Sequence, residues 1–438
     1  MKPDSEILHH RLLMYFKITP QDKTKAFEKG FNENYGKMMI FGGCYSGSKI
    51  ANMYTAFNYF ISFFGIYCTI RTPLLVADEF GLFSEALHFI SLLPNIASTC
   101  LWYLLNGKSF DNLYRAVGSG FYNYGDTFDS KTFKNMIDKQ RYLSKEIKRK
   151  HTEAYITLLA IVGITYGILR PIYEFSIGKY DYPGGSDGIV RNIPLVTWFP
   201  FDPESNLHFI GANIFEYYHI FLTSFRVVCI EIPIITVSEE ICSEFKILAK
   251  GVEIFDQRAI ALYRILYGNH RESNQMNKKK FEHCIKLCLS DSVRHHNILK
   301  RTFKDLKRIL FYPLITGILS SALTICFSSF LFIDKSVPLS VKICFMVMLQ
   351  AEVIYTFSLC WYGQRIKDAS TEIGNVLYKT NWYKYSEFLK SFILIMQPCA
   401  QRPLKLTAAG FIDVELSTFL DICKSAFSYF SILQAFNE

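Results

Sequence analysis

Charge is scarce in this 438-residue chain: Asp, Glu, Lys and Arg make up 20% of it, below the roughly 25% of a soluble domain. Motifs of catalysis are missing too. There is no HExxH, no nucleophile elbow and no glycine-rich phosphate loop, and Gly42, Gly43 and Gly47 precede no Lys-Ser/Thr pair. An enzyme is not expected, nor a cofactor. The 12 cysteines form no CxxC pairs. His283, Cys284, Cys288, His295 and His296 can be drawn as a cluster, but without finger spacing they predict no metal site. Most cysteines sit in apolar blocks (Cys68, Cys326, Cys344, Cys360) or in a basic stretch (Cys242), where they read as small packing residues. Internal repeats and low-complexity tracts are lacking, and the composition excludes disordered, collagenous and disulfide-scaffold classes.

Hydrophobic residues fill 50% of the chain and aromatics 16%, with 39 Phe and 27 Tyr. They come in long uncharged blocks, each near the 20 or so residues that cross a bilayer. The blocks are Ile50 to Ile70, Ala86 to Gly107, Ala154 to Leu169, about Phe209 to Val237, Ile309 to Ile333, about Ile343 to Tyr362, and a final stretch from about Val414 to Phe436. An all-α polytopic membrane protein with seven transmembrane helices is predicted. Residues 1–49 contain no apolar run of signal-peptide length, so the first span is expected to act as its own insertion signal.

The net charge of +9 might suggest nucleic acid, but the basic residues cluster in alternate connections. The N-terminal arm, the segment between spans two and three (Lys131 to Lys150) and that between spans four and five (Lys278 to Arg308) are rich in Lys and Arg. The other connections carry almost none. The positive-inside rule then predicts a cytosolic N-terminus and an extracellular C-terminus, and no nucleic-acid partner. The expected organisation is a cytosolic arm 1–49, spans one to four in 50–237 with an outer loop 173–207, and a cytosolic helical anchor segment 238–308. Spans five and six follow in 309–362, then a cytosolic anchor and turn 363–410 and a final helix 411–438. Within the anchor, helical spacing of Phe245, Leu248, Ala249 and Val252, and later of Ile285, Leu289 and Val293, predicts helical extensions below the membrane. Lys278 to Lys280, beside Asn274 and Asn277, reads as a solvated turn. An amphipathic piece from Tyr385 to Met396 should precede a turn broken by Pro398 and Pro403.

The last helix is the most informative. Ser417, Asp421, Ser425 and Ser428 recur at steps of three or four and continue outward as Ile432, Ala435 and Phe436, while Leu416, Phe419, Leu420, Phe427, Phe430 and Leu433 lie opposite. Asp421 and Lys424 are spaced to pair. A wet stripe on a spanning helix borders either other helices or a water-filled path. As a pore wall, Ser417 to Ser428 would line the lumen, with Ile432 and Phe436 closing it by dewetting. One helix cannot enclose a pore, so that reading implies an oligomer; the other leaves the stripe as an interhelical seam.

At this point the chain resembles the insect odorant receptors. The run Gln397-Pro398, Arg402 to Gly410, Leu416 to Phe419 and Lys424 to Phe430 is close to that family's ending. Trp198-Phe199-Pro200-Phe201-Asp202 is similar to its WYPFD-like element, and Leu359-Cys360-Trp361-Tyr362-Gly363-Gln364 to its CYxGQ signature. The chain departs from the pattern at Ala409, where Lys or Gly more often follows the Thr-Ala pair, and at the bulky Phe436. The resemblance implies an odour-tuning subunit of a ligand-gated, non-selective cation channel. Its partners would be a shared co-receptor subunit in a heterotetramer, a small volatile apolar ligand, the lipid bilayer and permeating cations. It also implies the plasma membrane of an olfactory sensory neuron dendrite. The long insertion of the co-receptor is not evident.

In such proteins the odorant pocket lies among spans two, three, four and six. By this likeness Phe83, Leu87, His88 and Ser91 are nominated from span two, and Tyr166 and Leu169 from span three. Span four supplies Ile210, Asn213, Ile214 and Tyr217; span six supplies Phe345, Met348 and Leu349. Taken singly, each also reads as helix packing. A gustatory-type channel would share the fold. A metabotropic seven-span receptor would need an external N-terminus, and a transporter, suggested by Glu216, Arg226, Glu231 and Glu352, would need the inverted repeats that the sequence lacks.

Overall fold

The computed structural model describes residues 25–45, 49–124, 131–176, 188–190, 195–201, 205–267, 277–335, 337–385 and 387–437. Two short helices, α1 (Lys25–Glu33) and α2 (Gly36–Phe41), precede α3 (Lys49–Leu75), α4 (Phe80–Leu105) and α5 (Gly107–Gly118). α6 (Lys131–Ile164) runs through a π-helical turn, Thr165–Leu169, into α7 (Arg170–Ser176). Beyond a hairpin of β1 (Ile189–Val190) and β2 (Thr197–Trp198) lie α8 (Asn206–Glu253), α9 (Phe255–Tyr267), α10 (Lys278–Ile333) and α11 (Leu339–Lys379). The chain closes with α12 (Glu387–Ala400), a hairpin of β3 (Thr407–Ala408) and β4 (Ile412–Asp413), and α13 (Leu416–Asn437).

Five helices, α4, α6, α8, α10 and α11, are long and apolar enough to cross a membrane by length and composition. α3 and α13 have 27 and 22 residues; at 1.5 Å per residue both exceed the roughly 30 Å hydrocarbon core. Together they make the seven spans. The uncharged blocks mark only the middle of longer helices: α8 has 48 residues, α10 has 56 and α11 has 41. The hydropathy limit falls inside a continuous hydrogen-bonded rod, because charge ends a span without ending a helix.

Differences from the sequence reading are local. Lys278 to Lys280 is not a turn but the opening of α10, capped by the Asn277 side chain, which accepts a hydrogen bond from the Lys280 amide at 3.3 Å; Asn274 lies outside the described residues. Pro398 sits within the last turns of α12, whose carbonyl–amide ladder survives because Gln401 still donates to Gln397 at 2.9 Å. Beyond Val237, α8 packs with α6, α9 and α10. Here Arg141 Nε donates to Glu244 at 2.7 Å, and His295 Nε2 approaches the other Glu244 oxygen at 3.2 Å. Tyr124 Oη lies 2.9 Å from His295 Nδ1. Arg258, fully buried, donates to the Gly251 carbonyl at 2.7 Å and to Ser292 at 3.1 Å, with the Tyr124 ring 4.8 Å from its guanidinium carbon. These pairs compensate charges that could not otherwise enter the interior.

Candidate functional site: an apolar cavity and a polar terminal helix

Four elements leave a gap between them. Phe89, Leu92, Leu93 and Ile96 of α4 form one wall; Leu159, Val162 and Gly163 of α6 form the next. Thr223, Ser224 and Val227 of α8 and Met348, Ala351 and Glu352 of α11 complete a cavity of about 110 Å³, with Leu195 ahead of β2 across it. The π-helical turn inserts one extra residue per turn just beyond Gly163 and points Tyr166 inward, buried against Phe89 with ring centroids 6.0 Å apart. A Cβ at Gly163 would meet nothing within 4 Å, so the glycine keeps that wall open. His219 also lines the cavity. It stacks on Phe215 at 5.7 Å and presses on Gly65, where a Cβ would lie 2.5 Å from the imidazole.

A second cavity of about 60 Å³ shares Leu92, Ile96, Leu159, Val227, Ala351 and Glu352 with the first and adds Asn95, Tyr155 and Tyr355. The linings are mostly apolar with a few polar atoms, as ligand sites are.

Of the nominated residues, Tyr166 and Met348 line the larger cavity. Phe345 stands behind it, 6.1 Å from Tyr166 and 6.4 Å from Phe89 between ring centroids. His88 packs edge-on against Phe345 at 5.1 Å, with its Nδ1 3.2 Å from Ser328 Oγ. Ser91 donates to the His88 carbonyl at 2.7 Å. Phe83 packs with Val76, Ile189 and Val196 beside the β1–β2 hairpin, Leu87 is half-buried, and Leu349 packs against the main core. Leu169, Ile210, Ile214 and Tyr217 face outward, and Asn213 donates to the Phe209 carbonyl at 2.9 Å. None of those five lines the cavity. Glu352, His219, Thr223, Ser224 and Gly163 were not nominated. The signal for Glu352 was present, a carboxyl in mid-span; for the others no local pattern exists.

The segment at residues 195–201 is fixed to the bundle. The Trp198 amide donates to Thr72 Oγ1 at 3.0 Å, the Arg71 guanidinium carbon lies 5.5 Å from the Trp198 ring, and Phe199 is buried against Phe201 and Phe215. Asp202 lies outside the described residues. Arg226, buried in α8, donates to the Gly42 carbonyl at 3.2 Å and to Ser62, with the Tyr59 ring 4.5 Å away.

On α13, Ile422 and Ala426 are buried, and Phe419 packs edge-on against Phe357 of α11 at 5.6 Å. Ser417, Asp421, Lys424, Ser425, Ser428, Ile432 and Ala435 are exposed on the far side; the side chains of Leu433 and Phe436 lie outside the described residues. Leu420 and Phe427, expected to share a face with Phe419 and Phe430, are exposed as an apolar flank. Ser425 and Ser428 donate to the carbonyls of Asp421 and Lys424 at 2.9 and 3.0 Å, so neither hydroxyl is left unmet. Lys424 approaches Asp421 at 3.7 Å.

The helix is held at its base. Gly363 of α11 lies directly under the Val414 carbonyl, so that a Cβ there would come within 2.0 Å of the oxygen. Lys367 pairs with Glu415 and Lys405 with Asp413. The pairing with Lys367 draws the Glu415 carboxyl below its usual range. At the tip of the β3–β4 hairpin Ala409 has φ 51° and Gly410 φ 86°. The position where the family more often carries Lys or Gly is a left-handed one that a glycine occupies without strain.

Comparison with known proteins agrees with this architecture. The sequence profile described as 7tm odorant receptor matches residues 120–427. Odorant receptor 67c of Drosophila melanogaster is 20% identical over 279 residues, 64% of this chain and 63% of its own length. Putative odorant receptor 92a of the same fly is 21% identical over 301 residues, 68% of each chain. The chain thus spans about two thirds of the length of these relatives. Among solved structures, the insect olfactory receptor OR5 from Machilis hrabei in complex with eugenol superposes with a TM-score of 0.74, covering 94% of this chain and 98% of that one at 14% identity. With a profile covering most of its length and a matching helical fold, this chain belongs to the 7tm odorant receptor family.

Proposed function

We propose that the chain is the odorant-binding subunit of a ligand-gated, non-selective cation channel in the plasma membrane, assembled as a tetramer with a co-receptor subunit, with its N-terminus in the cytosol. The observation that carries the proposal is the placement of the α13 polar stripe opposite the seam that holds α13 to its own subunit. In one subunit Asp421, Ser425 and Ser428 have no protein cover, and a spanning helix does not turn such a face to lipid. Copies arranged about an axis satisfy it with water, while Leu420 and Phe427 meet neighbouring subunits or lipid.

The ligand is a small apolar molecule, consistent with a mostly apolar lining and with the eugenol complex of OR5. Its burial contributes about 25 cal/mol per Å². Met348 and Glu352 lie on α11, and the same helix supports Val414 through Gly363. A ligand that binds one position of α11 better than another shifts the base of α13 by that difference in affinity. The test is Asp421→Asn in the channel complex. Altered unitary conductance or cation permeability with unchanged ligand potency is expected; unchanged currents with shifted potency would remove α13 from the pore.

A further inference from the structure

The smaller cavity carries more acid than an apolar odorant needs. Glu352 lines both cavities, and its Oε1 accepts a hydrogen bond from Ser321 at 2.6 Å. Glu231, on the neighbouring α8, is completely buried, and neither carboxyl oxygen has a hydrogen-bond partner. Glu231 and Glu352 lie within electrostatic reach of each other and of Tyr155 and Tyr355, which line the same cavity. Among the described residues neither carboxyl has a cationic partner. A carboxylate buried without a positive partner is costly, so a ligand that brings one is favoured there. Of the two, Glu352 lines the cavity, and a carboxyl that shares a lining with two tyrosines suits an organic ammonium group, which aromatic rings attract through their π-clouds.

We propose that this cavity selects odorants bearing a basic amine, with the nitrogen beside Glu352, Tyr155 and Tyr355 and the apolar tail in the larger chamber. This rests on the odorant-pocket reading above. An amine crosses the apolar lining as its uncharged free base. At the site one proton moves from the Glu352 carboxyl to the amine: the O–H bond breaks, an N–H bond forms, and the nitrogen lone pair is the acceptor. The products are an ammonium and a carboxylate in contact, so the net charge of the cavity does not change and no other reactant is needed. A hydroxyl or carbonyl odorant forms only a neutral hydrogen bond in the same place.

The test compares hexylamine with 1-hexanol, which share a six-carbon tail, on the full chain purified in detergent. Binding is read from the ligand-dependent shift of the unfolding temperature. Hexylamine is expected to bind at least about tenfold more tightly, an ion pair in a dry site outweighing a neutral hydrogen bond by that factor or more. Glu352→Gln should weaken hexylamine about tenfold and leave 1-hexanol within about threefold. Equal affinities in the wild-type chain, or an equal loss for both ligands in Glu352→Gln, would overturn the amine preference and leave the odorant pocket standing. Failure of both ligands to bind the wild-type chain would overturn the pocket reading itself. The wild-type comparison needs no variant to fold.

Discussion

Replacing Gly363 by alanine tests the coupling between cavity and terminal helix at its tightest point. The added Cβ would lie 2.0 Å from the Val414 carbonyl oxygen, 3.0 Å from its carbon and 3.4 Å from Cγ1. Ordinary contact begins near 3.4 Å, so Val414 has to move by about 1.4 Å or α11 has to tilt. The obstructing atom is backbone, and no rotamer relieves it. Overpacking of this kind costs about 1–3 kcal/mol. The gain in helix propensity from Gly to Ala offsets about 1 kcal/mol of that, leaving a net loss of up to about 2 kcal/mol concentrated at the base of α13. Gly374, three turns further along α11, is the internal control: there the nearest atom to an added Cβ is Gln401 Cγ at 3.4 Å, and the alanine should be neutral or stabilising. Thermal unfolding of both variants in detergent, with ligand-evoked current beside it, decides the matter. G363A should unfold earlier and shift the ligand concentration for half-maximal current, with G374A near wild type. A G363A protein matching wild type in both would refute the reasoning.

Other expectations follow from separate features. Ala409→Gly relieves a left-handed backbone at the hairpin tip and should raise stability by about 1 kcal/mol; a lower unfolding temperature would show that φ at that position is not strained. In the segment read as cytosolic, burial, together with Lys300 and His295, pushes His296 down to about 4 from an ordinary 6.5. Its neutral form is the folded one, so the unfolded chain binds the extra proton between those values and stability rises with pH across that window. The wild-type chain should lose at most about 3 kcal/mol as pH falls from 6.5 to 4, and His296→Leu should flatten that limb. An undiminished acid loss in the variant would assign it to other groups.

The spans were legible because a bilayer imposes a length and a charge ceiling that hydropathy reads directly, as the run Ile50 to Ile70 within α3 illustrates. Where a helix ends was not: Val237 closes an apolar block, yet α8 continues to Glu253 because Glu239, Glu240 and Glu244 find Arg365, Lys148 and Arg141. Those partners are about 90 to 130 residues away in sequence, beyond any local pattern. The polar stripe of α13 followed from periodicity alone. Its apolar face divided into a packed seam and an exposed flank, since period tells which residues share a side but not which side meets a neighbour. The cavity lining was the least legible. Only the fold brings His219 beside Met348, and Ile210 and Ile214, which have the period of one face, turn outward. Gly363 could be quoted as part of a motif; the carbonyl that requires it comes from Val414.

The most direct measurement of the central claim is cysteine accessibility along α13 in the conducting complex. Cys399 and Cys423, the two cysteines not fully buried, are first replaced by serine. Ser425→Cys and Phe419→Cys are then introduced separately and exposed to a charged, thiol-reactive reagent during ligand-evoked current. Rapid block at position 425 and none at 419 is the predicted result; protection of 425 with the channel open would contradict a conduit lined by this helix.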